Sequence, residues 1–213
     1  MDFFPAKVRK RAVILRNPVN TAFFRERYAQ EREKIIVSVG RIDVNKNHEM
    51  LVKAFAAIAG EFPEYKLIIY GDGECRSRLA KQAVELGVKE SVLFPGSIRH
   101  VEDAIYKARV FVLPSNTEGV PNTLIEAMLM GLTVISTDCP CGGPASLIKN
   151  GVNGVLTPVG DAQSMQENLR MVLSDSEMAD RLGATAAEIA EDYQPENVYG
   201  SWKLFLESLI ARK

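Results

Sequence analysis

Three cysteines and two histidines are all that 213 residues contain. That is too few for a disulfide framework, and His48 and His100 are too few and too separated for a zinc site. Charge of one sign is missing as well: 26 Lys and Arg face 27 Asp and Glu, a net charge of −1. A surface that tracks nucleic-acid phosphates needs a basic excess, so nucleic acid is excluded as the main partner. No apolar run approaches the roughly 20 residues of a membrane span, and Met1 to Val13 lacks the apolar stretch of a signal peptide. Repeats, low-complexity stretches and coiled-coil heptads are absent too. With 46% hydrophobic residues, what remains is a chain able to bury a full core, with a reducing cytoplasm as its default setting.

What is present is an alternation of short apolar runs with helical patterns. Lys34–Val39 ends in Gly40, Lys66–Tyr70 in Gly71, Ser91–Phe94 in Pro95-Gly96, Val110–Leu113 in Pro114, and Thr133–Ser136 runs into Thr137-Asp138. Continuous apolar strands of this length, closed by Gly, Pro or Asp, suit a sheet covered on both faces. Between them, Met50, Leu51, Ala54, Phe55 and Ile58 share a helix face. Leu79, Ala83 and Leu86 form a second stripe stopped by Gly87, and Thr123 to Met130 makes a third helix ending at Gly131. The expected fold is α/β: a Rossmann-like, doubly wound parallel sheet with helices on both faces.

The ends differ. Residues 1–12, with Lys7, Arg9, Lys10 and Arg11 around one Pro, read as an exposed linker, and Val13 to Leu15 as a first short strand stopped by Asn17-Pro18. Past Asp161 the chain reads as wholly helical. Met165, Leu169, Val172 and Leu173 share one face, and Pro195 opens a last helix bearing Val198, Trp202, Phe205, Leu206 and Leu209. Residues 1–213 are expected to form a single domain.

In an open parallel sheet, ligands bind beyond the carboxyl ends of the strands. Five segments converge there: Gly40 to Asn47, Gly71 to Gly73, Pro95 to Ile98, Pro114 to Glu126, and Asp138 to Ala145. Gly119 and Pro121 turn the chain ahead of a helix whose first turn holds Asn122 and Thr123. Such an N-terminus presents free N–H groups and about half a positive charge to an anion. Glu126, close behind, could accept paired hydrogen bonds from the vicinal hydroxyls of a ribose. Equally, Glu118 could be a solvated loop residue and Glu126 a complement to the helix dipole. Arg41 and Lys46 follow a strand ending in Gly40, where a planar fork and a point charge could share a diphosphate or stay solvated.

Other signals are weaker. Gly71-Asp-Gly73 begins a dinucleotide fingerprint, but Arg76 takes the third glycine position, which argues against NAD. There is no Gly-Lys-Ser/Thr of a P-loop and no nucleophile elbow. Cys139-Pro-Cys141 reads as a turn rather than a metal site.

Together the segments resemble the C-terminal, donor-binding half of the family-4 (group 1) retaining glycosyltransferases, enzymes with two facing Rossmann-like domains, the GT-B fold. The resemblance rests on Gly40-Arg41-Ile42 with Lys46-Asn47, Gly71-Asp-Gly73, Phe94-Pro95-Gly96, Glu118 and Glu126 with Ala127-Met128 and Gly131, Asp138-Cys-Pro, and Asn150-Gly151-x-Asn153-Gly154. Thr133 stands where the family often has Pro. By this resemblance, Arg41 and Lys46 would hold the donor diphosphate, and Glu118 would contact the sugar ring. Gly119, Val120, Pro121, Asn122 and Thr123 would offer backbone N–H groups to sugar and phosphate. Glu126 would hold the ribose, and Gly40, Gly71 and the Gly96-Ser97-Ile98 loop would line the base and phosphate site. It also implies a nucleoside diphosphate sugar, by family UDP-linked, as substrate, and no metal or cofactor. The acceptor-binding N-terminal half would be missing, residues 1–12 a linker remnant, and residues 195–213 a helix crossing to that half. Membrane contact would belong only to the full-length protein, at the inner face. A non-catalytic nucleotide-binding or interaction module on the same fold is the alternative.

Overall fold

A computed structural model of the chain describes residues 5–211. Its strands are β1 (Glu33–Val39), β2 (Lys66–Tyr70), β3 (Val92–Gly96), β4 (Ala108–Leu113), β5 (Thr133–Thr137) and β6 (Val155–Thr157). They make one six-stranded sheet in the order β3-β2-β1-β4-β5-β6, and every pairing is parallel. The helices are α1 (Ala6–Arg9), α2 (His48–Ala56), α3 (Arg76–Glu85), α4 (Val101–Ile105), α5 (Asn122–Leu129), α6 (Gly143–Leu147), α7 (Ala162–Ser174), α8 (Ser176–Ala187), α9 (Ala190–Tyr193) and α10 (Pro195–Ile210). None among the described residues is long and apolar enough to cross a membrane.

The period of two along each strand divides the core. Ile36, Leu67, Ile69, Val110 and Val112 pack on one face with Leu51, Phe55, Leu79 and Leu169 of α2, α3 and α7. Val37, Phe111, Leu113 and Val134 point the other way, against Leu124, Ile125 and Met128 of α5 and Ile105 of α4. All six residues of β4 are buried, as a central strand with both faces covered requires. Asp161 and Asp175 cap α7 and α8 by accepting from the N–H groups of Ser164 at 2.9 Å and Met178 at 2.8 Å. Such caps offset the unpaired donors of a helix start.

Two expectations need correction, and one strand lies outside the expected set. Val13 to Leu15 form no strand; Val13 and Ile14 are exposed, and β1 already has β2 and β4 as neighbours, so no inner position is open to them. Leu86 is exposed, because α3 ends at Glu85 and Gly87, at φ +73°, turns the chain away. A sixth strand, β6, was not apparent as an apolar run, since three residues pairing with β5 alone leave too short a pattern. Within the proposed linker, residues 5–11 contain the exposed α1, and residues 1–4 lie outside the described residues. The final helix begins at Pro195 as expected. It buries Val198 and donates from Trp202 Nε1 to the Arg16 carbonyl at 2.9 Å; residues 212 and 213 lie outside the described residues.

The strand order reverses between β1 and β4. The chain runs outward through β2 and β3, then returns to the far side of β1. The helices that follow the two loops leaving this point, α2 and α5, pack on opposite faces of the sheet, and the crevice at such a point is where these sheets bind ligands.

Candidate functional site

The β1–α2 and β4–α5 loops leave that switch point and are stitched together. The Asn116 N–H donates to the Asn45 carbonyl at 2.7 Å, and Asn116 Nδ2 donates to the Val44 carbonyl at 3.0 Å. Asn47 Nδ2 donates to Asn116 Oδ1 at 2.9 Å, and Asn45 Nδ2 to the Thr117 carbonyl at 3.0 Å. Asn47 itself sits at φ +47°, a left-handed conformation that asparagine tolerates better than most residues.

This seam brings Lys46 and Glu118 together. Lys46 Nζ lies 2.5 Å from Glu118 Oε1, and Ser115 Oγ donates to the same oxygen at 2.7 Å. The two side chains are only 18% and 13% exposed. Arg41 stands apart from this pair: it is 80% exposed and meets Asp43 Oδ2 at 3.0 Å. Asp43 in turn accepts the Lys46 N–H at 2.9 Å. Each cation is therefore held by a carboxylate of its own chain.

Beyond Glu118, the chain turns through Gly119, Val120 and Pro121 into α5. Pro121 is the N-cap, no side chain caps this end, and no acidic residue lies in the first turn. The Leu124 and Ile125 N–H groups donate to the Pro121 carbonyl at 3.1 and 3.3 Å, which leaves those of Asn122 and Thr123 as the donors at the positive end of the helix dipole. Gly143 is required beside this turn, since a Cβ there would fall 1.5 Å from the Gly119 carbonyl oxygen. Glu126 is the fifth residue of α5 and only partly exposed. Burial, with the Glu102 carboxylate of α4 as the second cause, pushes its carboxyl up to about 7. Glu102 stays ionised, held down by a backbone N–H and by His100, whose Nδ1 is 3.0 Å from its Oε1.

A further hollow lies where β1, β2 and β3 end. A cleft of about 180 Å³ is lined there by Gly40, Arg41, Tyr70, Gly71, Ser97 and Ile98. Gly71, at φ +137°, is indispensable, because a Cβ would meet the Gly40 carbonyl at 1.8 Å. Gly96 closes β3 at φ +90° and its carbonyl accepts the Gly71 N–H at 3.0 Å. Val120 instead lines a separate groove of about 660 Å³ with Ile14, Leu147, Val152 and Tyr193.

The structure adds residues that the sequence did not single out. Ser115 and Asn116 hold Glu118 and the facing loop; their spacing just ahead of Glu118 was the available signal. Glu102 had none, because its neighbour Glu126 lies on another helix. His48, at the start of α2, is 2% exposed, with Nε2 3.2 Å from Ser38 Oγ and Nδ1 unpartnered among the described residues. Burial and then the Lys46 charge lower it to about 4, so it is neutral at pH 7.

The fold and its switch-point crevice are those of a Rossmann-type α/β domain. Residues 20–189 match the family described as glycosyl transferases group 1, and the chain belongs to that family. It is 33% identical over 179 residues to an α-1,4-N-acetyl-D-galactosaminyltransferase of Campylobacter jejuni that acts on a diphosphoundecaprenol-linked GalNAc acceptor, covering 83% of this chain and 49% of that protein. The chain spans about half the length of the curated relatives it matches. In fold it resembles HepE of Anabaena, solved with UDP, with a TM-score of 0.77 at 22% identity over 83% of this chain and 49% of that one. It likewise resembles the C-terminal domain of a group 1 glycosyl transferase (LpcC) from Francisella tularensis, with a TM-score of 0.74 at 19% identity over 83% of this chain and 99% of that one. The fold is thus that of the C-terminal domain of a GT-B group 1 glycosyltransferase.

Proposed function

We propose that this chain is the donor-binding half of a retaining glycosyltransferase, which moves a sugar from a UDP-sugar to a glycan or lipid-linked acceptor. The observation that carries the reading is the Lys46–Glu118 pair joining the two switch-point loops directly ahead of the uncapped start of α5, the helix that also bears Glu126. UDP bound to the structurally similar HepE supports the choice of nucleotide. Lys46, Arg41 and the α5 N–H groups would hold the diphosphate and stabilise the charge that grows on it as the sugar leaves, which is electrostatic work that needs no metal. Glu118 would exchange its lysine for the sugar hydroxyls. Glu126 would bind the ribose, and the Gly96-Ser97-Ile98 loop the base.

Retention would follow if the acceptor oxygen bonds the anomeric carbon on the face that the diphosphate leaves. The acceptor proton then passes to the departing phosphate oxygen, and no protein nucleophile is used. The acceptor would sit on an N-terminal half beyond this chain, so this half alone should bind nucleotide and transfer little sugar. A cytoplasmic setting goes with this reading, and Cys75, Cys139 and Cys141 are all free.

Thermal unfolding with UDP, GDP, ADP, uridine or NAD, without metal, tests the nucleotide assignment. Ligand at 100 times its Kd adds about 2.7 kcal/mol, a shift of several degrees for a chain of this size. A shift with UDP and not with NAD is expected; a shift with NAD alone would overturn the reading.

A further inference from the structure

Asn116 directs its main-chain N–H and both polar atoms of its side chain to one neighbouring loop. Its N–H and Nδ2 reach the Asn45 and Val44 carbonyls, and its Oδ1 takes the Asn47 amide. All three partners flank Lys46 in sequence, although Asn116 belongs to the loop of Glu118. Apolar packing does not do this work. Val44 is 63% exposed, and behind the seam lies a cavity of about 90 Å³ lined by Asn47, His48, Cys75 and Asn116. The backbone of the two loops is thus joined by the hydrogen bonds of one asparagine and by Asn45 on Thr117, alongside the Lys46–Glu118 ion pair itself.

We propose that Asn116 is a positioning residue for the diphosphate site: it clasps the Lys46 loop to the Glu118 loop so that the lysine ammonium is presented at a fixed point. The inference rests on the donor-binding reading above. A lysine stem has four rotatable bonds, and an ammonium that must be immobilised on binding costs affinity that a preorganised one does not. The clasp acts on the phosphates through Lys46 and has no part in holding the nucleoside, whose cleft is lined by the ends of β1, β2 and β3.

Calorimetric titration of the full chain with UDP and with uridine separates these roles. Asn116→Ala is expected to lower UDP affinity about tenfold and leave uridine within twofold. In a Lys46→Ala background, the same change should cost no further UDP affinity, because the residue it positions is gone. Asn45→Ala, an exposed position that removes only the Thr117 bond, should move UDP in the same direction by a smaller factor and provides the test if Asn116→Ala folds poorly. Equal losses of UDP and uridine, or equal tenfold losses with and without Lys46, would make the clasp merely structural and overturn the inference. Lys46-dependent UDP binding that is indifferent to Asn116 and Asn45 would overturn it alone. A wild-type chain that binds UDP no better than uridine would overturn the donor reading and this inference together.

Discussion

The two edges of the same sheet are built to opposite ends. At the amino edge, the buried Arg32 guanidinium donates to four carbonyls, those of Tyr106, Ala108, Met130 and Gly131, at 2.9 to 3.0 Å. Burial lowers it only to about 10, so it stays charged at neutral pH. Arg109 beside it binds Asp180 at 3.0 Å and the Ser176 carbonyl at 2.7 Å, and Thr133 Oγ1 donates to the Ala179 carbonyl at 2.6 Å. At the carboxyl edge, Arg41 is largely exposed, α5 begins without a cap, His48 Nδ1 has no partner among the described residues, and Glu126 is held near 7. Polar groups at the first edge are satisfied within the chain and hold the strands. Those at the second keep capacity for something else, which is how a binding site differs from a structural network made of the same residue types.

Arg32→Met is the strongest way to test that contrast. It strips four carbonyls of a charged donor and should cost roughly 3–5 kcal/mol. Thermal unfolding should show a drop of about 10 °C, while UDP affinity measured below the midpoint stays within twofold. A loss of affinity with little change in midpoint would erase the distinction between the edges.

His48 should be the next largest effect. Its folded value of about 4 lies below the ordinary 6.5, so its contribution to stability is complete above pH 6.5 and is lost as pH falls toward 4. The window is worth up to about 3 kcal/mol. Glu126 slopes the other way: its carboxyl is raised from 4.5 to about 7, so its contribution is present at low pH and is lost as pH rises through that range. Denaturant titrations from pH 4 to 8 should therefore show His48→Asn less stable at high pH than at low pH relative to wild type. Glu126→Gln should show the reverse, and parallel curves for all three proteins would rule out both assignments.

Glu126→Gln should also weaken UDP and uridine alike, by about 1–3 kcal/mol, the scale of charge-assisted hydrogen bonds. Because the ionised carboxylate is the better acceptor, wild-type uridine affinity should rise between pH 6 and 8 and become flat in the variant. Calorimetry at those pH values measures this, and undiminished uridine binding by Glu126→Gln would remove Glu126 from the ribose. The smallest effect is expected of Arg41→Ala. With Arg41 80% exposed, stability should change by about 0.5 kcal/mol or less, and UDP affinity should fall a few-fold while uridine holds.

Much of this molecule was legible in residue order. Five strands and the helices bearing Leu51, Leu79, Leu124 and Leu169 lay close to where their apolar patterns put them, because a continuous apolar run closed by Gly, Pro or Asp and a period of 3.6 are both set locally along the chain. Strand β6 and helices α4 and α6 did not show, being three to five residues long; a pattern needs more than one or two repeats to be seen. Val13 to Leu15 carried a strand-like pattern, yet the sheet gives those residues no neighbour to pair with, and sequence periodicity is blind to that.

The site divides in the same way. Gly71 and Pro121 mark turns from sequence alone, since a positive φ with close backbone approach at the first and a fixed φ at the second constrain the residue locally. Which side chains meet is another matter. Lys46 and Glu118 are 72 residues apart, and Glu102 and Glu126 lie on different helices. By itself the sequence determined a doubly wound sheet, its switch-point loops and the residue types they carry. Only the tertiary structure decided that Lys46 is paired with Glu118, that Asn116 holds their loops together, and that Glu126 is buried near another carboxylate. Pattern and turn chemistry act over a few residues, whereas ion pairing and desolvation depend on distances in space that the closing of the sheet creates.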